Sequence, residues 1–314
     1  MSSKKLTGAT MTTSEAGRHA LAIESGGTHV GRRIVVVFSD IHCGHRSGLC
    51  PPGIKLPTIE DDPSDWWSPT LTHTQEWLWS CYEADRKGVK ELAAGDPITV
   101  IVNGDITWGK RYPEDLISGR DYDQCAIAAS CLMRWLTMVN VDKLRLITGT
   151  PSHEFGLGSA PYTVAAMLGA AMDCDIEVSR HPLFSVDGVP IDCAHHGPTT
   201  GMRIWTQGNQ MRYYLKSMML AEIVRWQAPP RVVVRSHYHT YARETVRING
   251  AERWVSDLVV TPAYCGMTHY VTQVTQSAYM QSAGMVALEI VDGELVKIYD
   301  QFTRAHDLRT REDL

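Results

Sequence analysis

Five short runs of apolar, mostly β-branched residues constrain the fold of this 314-residue chain more than any other feature. They are 34–38 (IVVVF), 98–102 (ITVIV), 144–147 (LRLI), 190–194 (PIDCA) and 231–234 (RVVV). Near-continuous apolar runs of this length predict strands buried on both faces. Longer stretches at helical spacing lie among them, at 72–94, 121–139, 162–172 and 210–226. Strands alternating with helices predict an α/β fold. Beyond residue 244 the runs shorten to 245–248, 253–260, 285–290 and 295–299, with turns at Asn249-Gly250 and Asp292-Gly293. These read as a meander that finishes a second sheet.

Each of the five runs stops at residues that bind metals or move protons. The endings are Ser39-Asp40-Ile41-His42, Asn103-Gly104-Asp105, Gly149-Thr150-Pro151-Ser152-His153-Glu154, His195-His196-Gly197 and Ser236-His237-Tyr238-His239. An unpartnered charge at the end of a buried strand is costly. In open α/β sheets ligands bind beyond the carboxyl ends of the strands, so one rim receives all of these groups. Carboxylate together with imidazole suits a divalent transition metal. The set exceeds what one ion needs and fits two ions ~3.5–4 Å apart. A lone histidine at a strand end is ordinarily structural; five such endings in order carry the metal reading.

Composition narrows the class. At 44% hydrophobic and 21% charged residues the chain has an ordinary globular make-up. No segment reaches the ~18 consecutive apolar residues of a membrane span. Residues 1–32 are polar, without the apolar centre of a secretory signal, and read as a tail. The eight cysteines form no C-x-x-C pair, which favours free thiols and a cytoplasmic location. A net charge of −5 argues against a protein that coats nucleic acid, although a local basic groove is compatible with it. Residues 33–314 read as one domain with insertions at about 46–95 and 106–140. Their loop portions carry Trp66-Trp67, Trp108, Arg111, Tyr112 and Arg120. The tryptophan pair either pins its loop to the core or lines a substrate rim. Trp108, Arg111 and Tyr112 are candidates for that rim, and Arg120 and Arg203 are further candidate phosphate contacts.

The ordered endings resemble the calcineurin-like metallophosphoesterase superfamily. Its pattern is Asp-x-His, Gly-Asp, Gly-Asn-His-Glu/Asp, a lone His often before Gly, and Gly-His-x-His. The likeness covers roughly 34–240. It implies a four-layer α/β/β/α sandwich of two mixed sheets flanked by helices. It also implies two divalent ions, Mn2+ first, with Fe, Zn, Ni or Mg as alternatives. Asp40, His42 and His239 would hold the first ion, Asp105 would bridge both, and His196 and His237 would hold the second. His196 is preferred to His195 because His196-Gly197 keeps the His-Gly form. His195 is then an outer partner, or the ligand itself if the strand is shifted by one. His153 would hydrogen-bond the phosphate and protonate the leaving oxygen. Asn103, Ser152 and Glu154 stand beside these as supporting residues or alternative ligands. Two departures matter: Ser236 replaces a glycine, and Ser152-His153-Glu154 lacks the asparagine ligand.

The resemblance implies hydrolysis of a phosphate ester by a metal-bound hydroxide. A phosphodiester, as in nucleotides or nucleic acids, ranks first. A phosphomonoester ranks second, because 103–109 (NGDITWG) lacks the Gly-Asp-x-x-Asp-Arg-Gly arginine of the protein phosphatases. A metal-binding scaffold with little catalysis is the third reading. No membrane partner is expected, and no feature fixes an oligomeric state.

Overall fold

The computed structural model describes residues 31–58, 65–156, 159–201, 204–250, 252–268, 280–307, 309 and 312. Most of the polar N-terminal stretch, and Arg203, lie outside the described residues. The chain begins with β1 (Arg32–Phe38), a two-residue ribbon of β2 (Leu56–Pro57) and β3 (Trp66–Trp67), and α1 (His73–Ala93). Next come β4 (Ile98–Asn103), α2 (Asp121–Leu136), β5 (Val141–Ile147), α3 (Ser159–Ala171) and β6 (Asp175–Ser179). Then follow β7 (Leu183–Val186), β8 (Val189–Cys193), α4 (Asn209–Val224) and β9 (Val232–Arg235). The last strands are β10 (Ala242–Asn249), β11 (Arg253–Val260), β12 (Met280–Gly284), β13 (Val286–Val291), β14 (Glu294–Tyr299) and β15 (Thr303–Asp307).

The result is a mixed α/β fold. One sheet has the order β14-β13-β1-β4-β5-β6, with β1, β4, β5 and β6 parallel. The other runs β10-β11-β9-β8-β7, with β8, β9 and β11 parallel. Alternation along β1 shows why its run is apolar throughout. Ile34, Val36 and Phe38 join the core shared with α1, α2 and α3. Val35 and Val37 join a second core with Val232 and Val234 of β9 and Val259 of β11. The other faces of β9 and β11 give Val233, Leu258 and Val260 to a third cluster, closed by Met211, Leu215 and Met219 of α4. Strand pleating sends successive side chains to opposite faces, so each central strand feeds two cores.

Helix α1 matches its sequence reading closely. Thr72 and Gln75 form a reciprocal capping box, and Ala94 closes the helix in the left-handed region at φ 51°. The C-terminal strands correct the sequence reading. Only β10 and β11 extend the second sheet, whereas β13 pairs antiparallel with β1 and puts the β13–β14 hairpin in the first. The pattern reveals two buried faces but not which distant strand supplies the hydrogen bonds. Strand β1 also begins two residues before its apolar run, because Arg32 pairs with Asp96 and Glu289, and Arg33 with Asp142 and Asp187. Of the tryptophan pair, Trp67 packs against the helix-side core and Trp66 stands exposed. All eight cysteines are free thiols, and seven are buried. Among the described residues no helix is long and apolar enough to cross a membrane.

The second sheet is tied down by Asp257, a buried carboxylate on β11. It takes hydrogen bonds from Thr245 (2.6 Å), Arg243 (2.9 Å) and Arg231. Burial opposes its ionisation, but these three donors outweigh burial and hold the carboxyl below its usual value. A depressed folded value means that the stabilisation is present above the unfolded value of ~3.9 and is lost as the pH falls through the folded one. Asp257→Asn is expected to lower stability by about 2 kcal/mol at pH 7. The gap should narrow below about pH 4, and urea unfolding across pH 3–8 checks both points.

Candidate metal centre

The loops leaving β1 and β4 continue to pair after the strands end. Asp40 donates its N–H to Gly104 O (3.1 Å), His42 to Asp105 O (3.1 Å) and Cys43 to Ile106 O (3.0 Å). Those leaving β8 and β9 do the same through Ser236 N and His195 O (2.8 Å). This pairing fixes four strand ends in register. It also forces unusual backbone: Asp40, His42, Asp105, His237 and His239 have φ of 51°, 42°, 50°, 76° and 51°. A non-glycine residue there costs about 1–2 kcal/mol. Five of the six proposed ligands carry that cost, as strained functional sites do. Glycine is required beside them. A Cβ on Gly104, at φ 90°, would run into the His195 ring, and one on Gly149 into the Asp105 carboxylate.

Asp40, His42 and His239 form the first cluster. Ser39 Oγ (2.5 Å) and the His237 N–H (3.3 Å) hold Asp40 Oδ2. Asp40 Oδ1 is buried and has no hydrogen-bond partner among the described residues. Around it stand His239 Nε2 at 3.3 Å and His42 Nε2 and His195 Nε2 at 3.8 Å each. His42 Nε2 and His239 Nε2 face each other at 3.3 Å. Two ring nitrogens ~2.0–2.1 Å from one ion are spaced in this way. Burial, then the neighbouring His153, keep His42 neutral by lowering its pKa well below the usual value.

The second cluster gathers His195, His196 and His237 beside Asp105. His195 donates from Nδ1 to Asn103 O at 2.7 Å, which turns Nε2 toward Asp105 Oδ2 at 3.1 Å. Backbone-anchored imidazoles of this kind are typical of metal ligands. Burial opposes charge on His195, but Asp105 and Asp40 outweigh it and raise its pKa to about 10. Burial likewise opposes ionisation of both carboxyls, and His195 foremost keeps them ionised. Burial, and then the charge on His195, lower His237 to about 4 and also lower His196. His195 is thus the buried member of its pair, and His196 is exposed with Nε2 3.3 Å from Thr150 Oγ1. The structure brings both to the cluster.

No model of a known protein family matches this chain, and no curated protein matches it.

The remaining expected residues sort by contact. His153 donates from Nδ1 to Trp108 O (2.6 Å), and it groups with His42 and Asp105. Asn103 Nδ2 reaches Ala194 O (3.0 Å) and Ser236 Oγ (2.6 Å), and so stitches the two sheets beneath the site. Glu154 accepts the Gly149 N–H, and burial raises its pKa to about 7. Trp108, expected on an open rim, is buried. Its ring lies 4.1 Å from that of His45, 5.1 Å from His42 and 4.9 Å from His153, and walls the site. The sequence reading did not single out His45. Arg111 stacks on Tyr112 of its own loop, and Arg120 pairs with Asp123. Thr150 was also missed. Its hydroxyl, rather than that of Ser152, meets Asp105 Oδ2 (3.1 Å), His196 Nε2 and His237 Nδ1 (3.4 Å). The signal was its place directly after Gly149, where the superfamily pattern has asparagine.

Buried histidines and aspartates this close together, with Asp40 Oδ1 lacking a hydrogen bond and facing only imidazole nitrogens, form a donor set that could hold a metal ion.

Proposed function

We propose that the chain is a metal-dependent phosphoesterase of the calcineurin-like type that hydrolyses phosphodiesters. The observation that carries this reading is the pair of adjoining clusters around Asp40 and Asp105, with one buried carboxylate oxygen left for a cation. Asp40, His42 and His239 would hold one ion, Asp105 both, and His196 and His237, with His195 beside them, the other. Mn2+ suits this mixed oxygen and nitrogen set. Bound there, the ions would supply Lewis-acid activation of a water and of the phosphoryl oxygens. The three apolar clusters support an α/β/β/α layering, and residues 33–314 read as one domain.

The protein's own groups do the rest. Water adds to phosphorus as the bond to the leaving oxygen breaks; His153 Nε2 gives a proton to that oxygen, and the proton that the water loses passes through solvent to restore it on the ring. The Trp108 carbonyl fixes the ring for this transfer by binding Nδ1. Trp108 and His45 shield the wall behind it from water. Among the described residues, Asp40 and Asp105 form ion pairs only with histidines. The diester is preferred to the monoester because 103–109 (NGDITWG) lacks the arginine of the protein-phosphatase motif.

The test is a hydrolysis screen with Mn2+. It compares bis-p-nitrophenyl phosphate, p-nitrophenyl phosphate, cyclic nucleotides, and single- and double-stranded DNA and RNA. The diester model compound should be cleaved at least ~10-fold faster than the monoester, a difference of about 1.4 kcal/mol in barrier. Cleavage of monoesters alone would replace the reading with a phosphatase. No cleavage of any substrate by the Mn2+-loaded protein would leave a metal-binding scaffold.

A further inference from the structure

We propose that the Thr150 hydroxyl is a ligand of the second cation and, as a neutral oxygen donor, makes that site the weaker and more exchangeable of the two. This rests on the dinuclear reading above.

Thr150 Oγ1 sits among three other donor atoms: Asp105 Oδ2 at 3.1 Å, His196 Nε2 at 3.3 Å and His237 Nδ1 at 3.4 Å. Thr150 Oγ1 lies 3.1–3.4 Å from each of these three atoms, the separation of neighbouring ligands around one ion at ~2.0–2.2 Å bond length. Three features of the loop hold the hydroxyl there. The Thr150 N–H donates to Asp105 Oδ1 at 2.6 Å, so both ends of the residue are anchored to the same carboxylate. Glu154, wholly buried, accepts the N–H of Gly149 one residue before. Pro151 follows, and a residue before proline is confined to extended backbone, where Thr150 lies at φ −75° and ψ 128°. Gly149 is the only residue type that fits between this loop and Asp105.

A threonine whose hydroxyl merely capped Asp105 would not need two ring nitrogens within 3.4 Å. The placement is that of a ligand, and it answers what stands in for the missing asparagine. A hydroxyl is a weaker donor than an amide oxygen and suits hard cations such as Mn2+ or Mg2+ better than soft ones.

The experiment is calorimetric titration of the metal-free, full-length protein with Mn2+ alone. The wild type, Thr150→Val, Thr150→Ser, Thr150→Asn and Ser152→Ala are compared. The wild type should bind two ions with unequal affinity. Thr150→Val should weaken the second by about 10- to 100-fold and leave the first unchanged. Thr150→Ser should restore it, Thr150→Asn should tighten it beyond wild type, and Ser152→Ala should change neither. Unaltered binding of both ions by Thr150→Val would overturn the proposal while leaving the dinuclear reading intact. If Thr150→Val does not fold, Thr150→Asn decides: no gain in the weaker affinity overturns the proposal. A wild type that binds no Mn2+ would overturn the dinuclear reading as well.

Discussion

Asp105→Asn is expected to lower phosphodiester turnover by about 100- to 1000-fold and to reduce bound Mn2+ from two ions to one or none. Both Asp105 oxygens are in use, Oδ1 by the Thr150 N–H at 2.6 Å and Oδ2 by Thr150 Oγ1 and His195 Nε2 at 3.1 Å each. The carboxylate also groups with His42 and His153 on one side and with Asp40 and His195 on the other. The shape of asparagine is close enough to spare the loop, but its amide cannot balance two cations. It also sets an NH2 against Thr150 donors or the His195 ring. Asp40→Asn should be milder, because Asp40 Oδ2 is already committed to Ser39 and His237 and Oδ1 alone faces the cluster. Metal content and turnover of the two variants, measured side by side, check this. Equal and modest losses would contradict a bridging Asp105.

The second large effect concerns His153. Its replacement by alanine is expected to cost about 100- to 10,000-fold in turnover, with both ions retained. The loss should be greater for substrates with poor leaving groups, such as dinucleotides, than for nitrophenyl esters, whose leaving oxygen needs little protonation. The Trp108 carbonyl at 2.6 Å already holds one ring nitrogen, so the other is the only one available for chemistry. Because His153 groups with His42 and Asp105, a fall in metal content in the same variant would make it a ligand instead and remove it as the acid.

The strand ends were legible because two signals coincide there. An apolar run marks a strand, and the first Asp or His after it marks the rim. Asp40, Asp105 and His237 meet this rule, with His42 and His239 two residues beyond the first and the last of them, and the structure brings these side chains into adjoining groups. What escaped depends on geometry finer than a period of two. Strand β8 ends at Cys193, and beyond it no alternation decides which of His195 and His196 turns inward. The hydrogen bond from His195 to Asn103 O, formed by a strand of the other sheet, makes that choice. Ser152 lies within the short 3-10 turn Pro151–His153, which leaves Thr150 beside Asp105. A motif read by spacing does not register such a turn. Trp108 looked like a rim residue because it follows a strand, yet three imidazoles pack against it and bury it. The membership of β13 and β14 in the first sheet depends on pairing with β1 across more than 240 residues, which no local pattern encodes.

The central claim is that the two clusters jointly hold two cations. Anomalous diffraction from a crystal soaked in Mn2+ tests it most directly. The account predicts two peaks roughly 3.5–4 Å apart, one among Asp40, His42 and His239 and one among Thr150, His196 and His237, with Asp105 between them. A saturating soak that leaves both positions without a peak, or that places Mn2+ elsewhere, would contradict it.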